Sequence, residues 1–227
     1  MKKLLKYDYK WCNKLGIYNP WRDPWELRIT KNIPNYDKSA YNKYPKYNFV
    51  YDKLFVAKSQ KLNCGELDNI EIGFVNYPIF IKPRWGHLSA GSKNCYKVKN
   101  KKELEKYKKL KNMMWSEYLD YGEGMTDFII LNGNIVYQIT YKYSDNQVGS
   151  IADDWKFISS ENKCPESIKN WVNKYLVGYT GACNVQYRGE NIIEVGLRLA
   201  RGGAYINSTK NIKLITNINN VVDNNIW

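Results

Sequence analysis

The stretch N-V-Q-Y-R-G-E-N-I-I-E-V-G-L-R, Asn184 to Arg198, reads as an antiparallel hairpin. Side chains along a strand point alternately to opposite faces. Asn184, Gln186, Glu194 and Arg198 share one face, and Val185, Tyr187, Ile193, Val195 and Leu197 the other. Gly189-Glu190-Asn191 reads as a three-residue hairpin loop. In that register Gln186 faces Glu194, Asn184 faces Gly196 and Tyr187 faces Ile193. One face then carries two amides, a carboxylate and a guanidinium, with an empty position at Gly196. Amide and carboxylate oxygens are hard ligands of the kind Mg²⁺ takes, the rest coming from water and phosphate. Arginine suits the same phosphates. The plainer alternative is a solvent-facing strand face, polar for that reason alone. The continuation R-L-A-R-G-G adds Arg201 and a tight backbone.

The chain around this hairpin has 227 residues, 44% of them apolar, enough for one or two domains with a core. No run approaches the roughly 18 apolar residues of a membrane span. The basic start M-K-K-L-L-K lacks an apolar segment of the signal-peptide kind. Five scattered cysteines with no C-x-x-C pair argue against a disulfide scaffold or a zinc site and for a reducing compartment. Only one histidine, His87, is present, which disfavours His-based triads and multi-His metal sites. The formal charge is +13. Such a charge suits nucleic acid or another polyanion. However, Lys, Asn, Tyr and Ile share A/T-rich codons, and arginine, the residue that reads bases and phosphates bidentately, is scarce.

Residues 1–48 are aromatic, basic and without periodicity, which suggests an irregular wrap or a partner surface, including one for self-association. Asp52 is placed to cap a helix through K-L-F-V-A-K-S-Q-K-L that stops near Gly65. A strand, Tyr77 to Pro83, leads into the loop R-W-G-H-L-S-A-G-S, with a returning strand over Cys95 to Val98. Asn100 and Glu103 have capping-box spacing before the helix K-K-E-L-E-K-Y-K-K-L. M-M-W-S-E-Y-L is a short apolar strand. Two β-prone runs flank Asn132-Gly133, the pair that type I′ hairpins favour. Pro165 opens a helix with Ile168, Trp171, Val172 and Tyr175 on one face. The tail, residues 207–227, is Asn-rich with a short helix as one reading. Helices among mostly antiparallel strands define an α+β chain.

Other segments offer chemistry, each with a bland counterpart. The loop after the Lys82 strand has Gly86, Ser89, Gly91 and Ser92, whose N–H and hydroxyl groups could cradle phosphate; the same residues make an ordinary turn. It is neither a Walker A nor a G-x-G-x-x-G loop. His87 reads as a loop residue rather than a base. M-W-S-E-Y-L-D-Y-G-E-G-M-T-D carries Glu117, Asp120, Glu123 and Asp127, able to meet a base edge and ribose hydroxyls or merely to solvate a connection. Lys53 and Lys142 are phosphate candidates or solvent-facing lysines.

In this order the pieces resemble the ATP-grasp superfamily. F-V-Y-D-K-L-F-V-A-K-S-Q is similar to its opening D-K helix, and Y-P-I-F-I-K-P-x-x-G-x-x-S-A-G-S to its first lysine strand and glycine loop. S-E-Y-L-x-x-G-E resembles its adenine and ribose segment, and G-A-C-N-V-Q with I-I-E-V-G-L-R its terminal metal-binding strands. The likeness covers residues 49–206. It implies two α+β subdomains with antiparallel sheets clasping ATP, and a ligase that activates a carboxylate as an acyl-phosphate for an amine. Lys82 would meet the α-phosphate and the adenine side and, with Arg198, serve the transferring phosphoryl. Ser89, Gly91 and Ser92 would cover the phosphates, with Lys53, Lys142 and Asn184 beside them. Glu117 and the backbone to Leu119 would meet adenine, and Glu123 the ribose. Gln186 and Glu194 would hold Mg²⁺.

The chain departs from that pattern. The last motif usually reads E-x-N-x-R; here it is E-V-G-L-R, so one metal ligand is missing at Gly196. The hairpin loop is short. About fifty residues stand where the family usually has a whole substrate domain, a truncation. Two other classes therefore stay open: a degenerate ATP-grasp fold used as a binding or virion structural module, and a basic nucleic-acid binder with aromatic platforms. The expected setting is cytoplasmic, in a host cell or virion if the chain is viral, with no membrane association.

Overall fold

The computed structural model describes residues 34, 36–71, 73, 75–88, 94–143, 147–148, 151–152, 155–159 and 164–199. The readings made of residues 1–33, of Ser89, Gly91 and Ser92, and of the tail lie outside the described residues. The elements begin with α1 (Asp37–Lys43), a 3₁₀ segment (Pro45–Tyr51), α2 (Lys53–Ser59) and β1 (Cys64–Glu66). Next come β2 (Ile79–Pro83), β3 (Tyr96–Val98), α3 (Lys101–Leu104) and β4 (Met113–Glu117). Then follow β5 (Glu123–Leu131), β6 (Asn134–Tyr143), β7 (Gln147–Val148), β8 (Ile151–Ala152) and β9 (Trp155–Ser159). The described part closes with α4 (Glu166–Tyr175), β10 (Gly181–Arg188) and β11 (Asn191–Gly196).

These strands form two main antiparallel sheets, ordered β1-β4-β2-β3 and β11-β10-β5-β6-β9, beside the short pair β7-β8. The α+β class is the observed one. The β5–β6 turn sits at Asn132 and Gly133, with φ of 48° and 81°. Both residues are left-handed, the conformation a type I′ turn requires and this residue pair tolerates.

Each sheet has its own core. Phe128, Ile130, Val185 and Val195 of the five-stranded sheet pack on Ile168, Trp171 and Val172 of α4. Ile79, Ile81, Val98 and Trp115 of the four-stranded sheet pack with Leu67 and Leu104. Helix α2 lies between them. Its Leu54 and Ala57 meet Met114 of β4, while Val56 joins the larger core. Asp52 caps it, its Oδ1 accepting from the Leu54 amide at 3.0 Å.

Four local expectations need correction. First, α2 ends at Ser59 rather than near Gly65. The Ser59 and Gln60 side chains both donate back to the Val56 carbonyl, and Lys61 turns left-handed at φ 63°. Second, α3 stops at Leu104, with turns beyond. Within the helix only Leu104 is buried, so tertiary packing does little to extend it. Asn100 does cap the Glu103 amide, but the Glu103 carboxylate accepts from Lys99 rather than Asn100.

Third, the opening hairpin turns on two residues, because Arg188 pairs with Asn191. A register shift follows between Gln186 and Tyr187, so Tyr187 faces Ile192, not Ile193. Ile192 enters the core, and Ile193 is only half-buried. The shorter turn and the bulge cancel, which leaves Gln186 opposite Glu194 and Asn184 opposite Gly196. Fourth, residues 37–51 are helical, not irregular. They are organised by ring packing rather than by a periodic stripe: Tyr44 and Tyr47 stack edge-on against buried Tyr179, with ring centroids 5.0 and 5.1 Å away.

Candidate functional site

The bulge of β11 lies where the two sheets approach. Lys82, on β2, donates from Nζ to the Ile193 carbonyl at 2.8 Å. Lys53, the first residue of α2, places Nζ 3.2 Å from Glu194 Oε2. Both lysines are buried, at 8% and 5% exposure. Burial pushes the Lys82 ammonium down to about 8, helped by repulsion from Lys53 and opposed mainly by Glu194. Cys95 shares the cluster: burial raises its thiol, while Lys53 and Lys82 pull it down. The Glu194 side chain keeps 34% exposure, and its other oxygen lies over Gly86, where an added Cβ would be 3.5 Å from it.

Local architecture fixes these groups. The Arg84 carbonyl accepts from the Lys53 amide at 2.9 Å. The Arg84 guanidinium grips Asp52 with two bonds, 2.8 and 2.6 Å, and also reaches Glu66 at 2.5 Å. That fork ties the start of α2 to the end of β2, the segments carrying Lys53 and Lys82. Gln60 clamps β11 at the bulge: its Oε1 accepts from the Ile192 amide and its Nε2 donates to the Ile192 carbonyl. The Tyr51 hydroxyl accepts from the Leu197 amide at 2.9 Å, fixing the chain just before Arg198.

The structure therefore brings Lys53, Lys82, Gln186 and Glu194 together. Asn184 lies on the same sheet face but is buried, donating to Asp127 Oδ1 at 2.8 Å. Glu123 sits within electrostatic range of Lys82 and is bound by Arg188 at 3.0 Å. The Leu119 carbonyl also accepts from Arg188, at 3.4 Å. Glu117 is engaged by Asn63, whose amide donates to its Oε1 and whose carbonyl accepts its amide. Lys142 pairs with Gly124, itself paired with Tyr187. The side chain of Lys142 lies outside the described residues. His87 is stacked on Tyr41 with ring centroids 3.8 Å apart, and burial lowers its pKa.

Arg198 is held differently. Its Nε and one terminal nitrogen donate to Asp37 Oδ2 at 3.0 and 2.7 Å. Asp37 Oδ1 lies over Gly196: a Cβ added there would be 2.7 Å away. That oxygen is buried and lacks a hydrogen-bond partner. Sequence reading missed Asp37, Arg84 and Gln60 as site residues. Asp37 and Arg198 are 161 positions apart, and no spacing rule links them. Among the described residues, no three Asp, Glu, His or Cys side chains form a ready cation cage.

No protein-family model and no curated protein sequence matches this chain. Solved structures do. N5-carboxyaminoimidazole synthetase from Staphylococcus aureus, complexed with ADP, superposes with a TM-score of 0.53 at 16% identity, over 74% of this chain and 53% of that one. Biotin carboxylase from Campylobacter jejuni, in a β-γ-ATP complex, gives 0.53 at 14%, over 79% and 47%. Pyruvate carboxylase from Rhizobium etli gives 0.53 at 15%, over 95% and 20%. This chain spans about half the length of the first two and a fifth of the third. These enzymes are built on the ATP-grasp fold, and this chain has that fold.

Proposed function

We propose that the chain binds Mg-ATP between its two sheets and activates a carboxylate as an acyl-phosphate for attack by an amine. The observation that carries this reading is the pair of buried lysines at the β11 bulge, Lys53 on the Glu194 carboxylate and Lys82 on the Ile193 carbonyl. Buried charge is costly unless compensated. A triphosphate, itself anionic, would meet Lys82 and Lys53 from the open side of Glu194. The ADP and ATP complexes among the structural neighbours support the nucleotide.

The residues present also fit a divalent cation. Gln186 and Glu194 offer adjacent oxygens, and a further carboxylate oxygen, Asp37 Oδ1, is buried without a hydrogen bond. Mg²⁺ uses few protein ligands and fills its shell with water and phosphate, so a full protein cage is not required. Gln186 and Glu194 would hold it, and the bound ion would neutralise charge on the phosphates. Lys53 would orient the Glu194 carboxylate, and Lys82 would fix the phosphate chain. Catalysis of this kind is mostly positioning and charge neutralisation. In the reaction, a substrate carboxylate oxygen takes the γ-phosphoryl and ADP leaves; an amine then displaces phosphate to form an amide.

Calorimetric titration of ATP with Mg²⁺ tests the binding. The expected result is saturable heat that Glu194→Ala weakens only when Mg²⁺ is present. Absence of heat and of thermal protection at millimolar nucleotide overturns the proposal. ADP release with candidate acids and amines separates a ligase from a nucleotide-binding module.

A further inference from the structure

The hairpin leaves a gap at Gly196, and another part of the chain fills it. Gln186 faces Glu194 and Asn184 faces Gly196, so these four positions share one face of the sheet. Gly196 offers that face no side chain. Asp37, the first residue of α1, enters the space from outside the sheet. Its two oxygens have different surroundings. Oδ2 takes both bonds from Arg198. Oδ1 points over Gly196, buried and without a hydrogen bond, although a buried carboxylate oxygen normally finds a donor. A divalent cation satisfies such an oxygen as well as a donor does, and Arg198 holds the carboxylate in place for it.

We propose that Asp37 supplies, from α1, the oxygen ligand that the hairpin lacks at Gly196, and that its Oδ1 binds the divalent cation shared with Glu194. This rests on the Mg-ATP reading given above. It makes α1 part of the nucleotide site as well as a cover for the core. It also explains why glycine suits position 196: any Cβ there would collide with Asp37 Oδ1 at 2.7 Å.

The test compares ATP binding in excess Mg²⁺ and in EDTA, by calorimetry, for four proteins besides wild type. They are Asp37→Asn, Asp37→Ala, Gly196→Asn and the double variant Asp37→Ala with Gly196→Asn. The wild-type chain is expected to bind ATP more tightly with Mg²⁺. Asp37→Asn should lose about tenfold or more of that gain, at least what an outer-shell partner costs, with little change in EDTA. Asp37→Ala should lose as much, and Gly196→Asn should destabilise through the collision. The double variant, with the space vacated, should recover the Mg²⁺ gain. A circular-dichroism melt of each variant confirms that it is folded. If Asp37→Asn keeps the full Mg²⁺ gain, or if affinity falls equally in EDTA, the inference is overturned while Mg-ATP binding stands. If wild type binds no nucleotide at all, the function proposed above fails and this inference fails with it.

Discussion

Lys82 shows how one residue can serve a site at the expense of the fold. Its ammonium is desolvated and faces a second buried lysine, and its pKa falls from 10.5 to about 8. A depressed lysine destabilises the folded chain wherever the unfolded chain prefers to be protonated. The cost is complete below about pH 8 and disappears as pH rises through the unfolded value of 10.5. Its size is on the order of 3 kcal/mol. Replacing Lys82 by methionine removes the charge but also the hydrogen bond to Ile193, a loss of about 1 kcal/mol. The ligand-free Lys82→Met protein should thus be more stable than wild type at pH 7 by about 1–2 kcal/mol, with the difference shrinking toward pH 10. The same change should abolish ATP binding. Urea denaturation at the two pH values, with calorimetry at pH 7, checks both halves. A variant less stable than wild type at pH 7 would show that the Lys82–Glu194 attraction outweighs desolvation.

The elements that sequence made legible are those whose information is local. Asn132-Gly133 names its own turn, and alternation in 184–198 names its own strands. The lysine strand and the D-K helix were readable because an apolar run and a capping aspartate suffice. What stayed hidden depends on distant partners. The run after Asn100 has helical propensity, but burial of only Leu104 within the helix leaves it short. The bulge at Ile193 could not be read from alternation, since two adjacent isoleucines fit either face. It is held by Gln60, on the far side of the chain from it in sequence. E-V-G-L-R revealed the gap at Gly196, but nothing in it pointed to Asp37. The Gln60 clamp has a measurable consequence. Gln60→Ala removes both bonds to the Ile192 backbone and should destabilise the chain by about 1–2 kcal/mol. Because the bulge sets the position of Glu194, Mg-dependent ATP affinity should fall as well, with m-value unchanged in urea. Wild-type nucleotide affinity in a destabilised Gln60→Ala protein would show that the bulge holds its shape without the clamp.

At the scale of the molecule, two sheets with separate cores meet through α2 and a few polar contacts. Leu54 and Ala57 belong to one side of that joint and Val56 to the other. At the site, Lys82 of β2 holds the Ile193 carbonyl of β11, and Lys53 of α2 holds Glu194. With a separate core in each, each sheet is expected to open locally on its own in the ligand-free chain. A nucleotide gripped by Lys82 on one sheet and Glu194 on the other changes that. At a free concentration about 100 times its dissociation constant it stabilises the bound state by about 2.7 kcal/mol, roughly a hundredfold slowing of any exchange that requires release. Hydrogen exchange read by mass spectrometry should therefore show β2 near Lys82 and β11 near Glu194 gaining protection together on addition of Mg-ATP. ATP in EDTA should protect β2 more than β11, because the lysine remains and the metal ligands have nothing to hold. Protection confined to one sheet under both conditions would mean that the nucleotide does not bridge them, and the two-sided site would be abandoned.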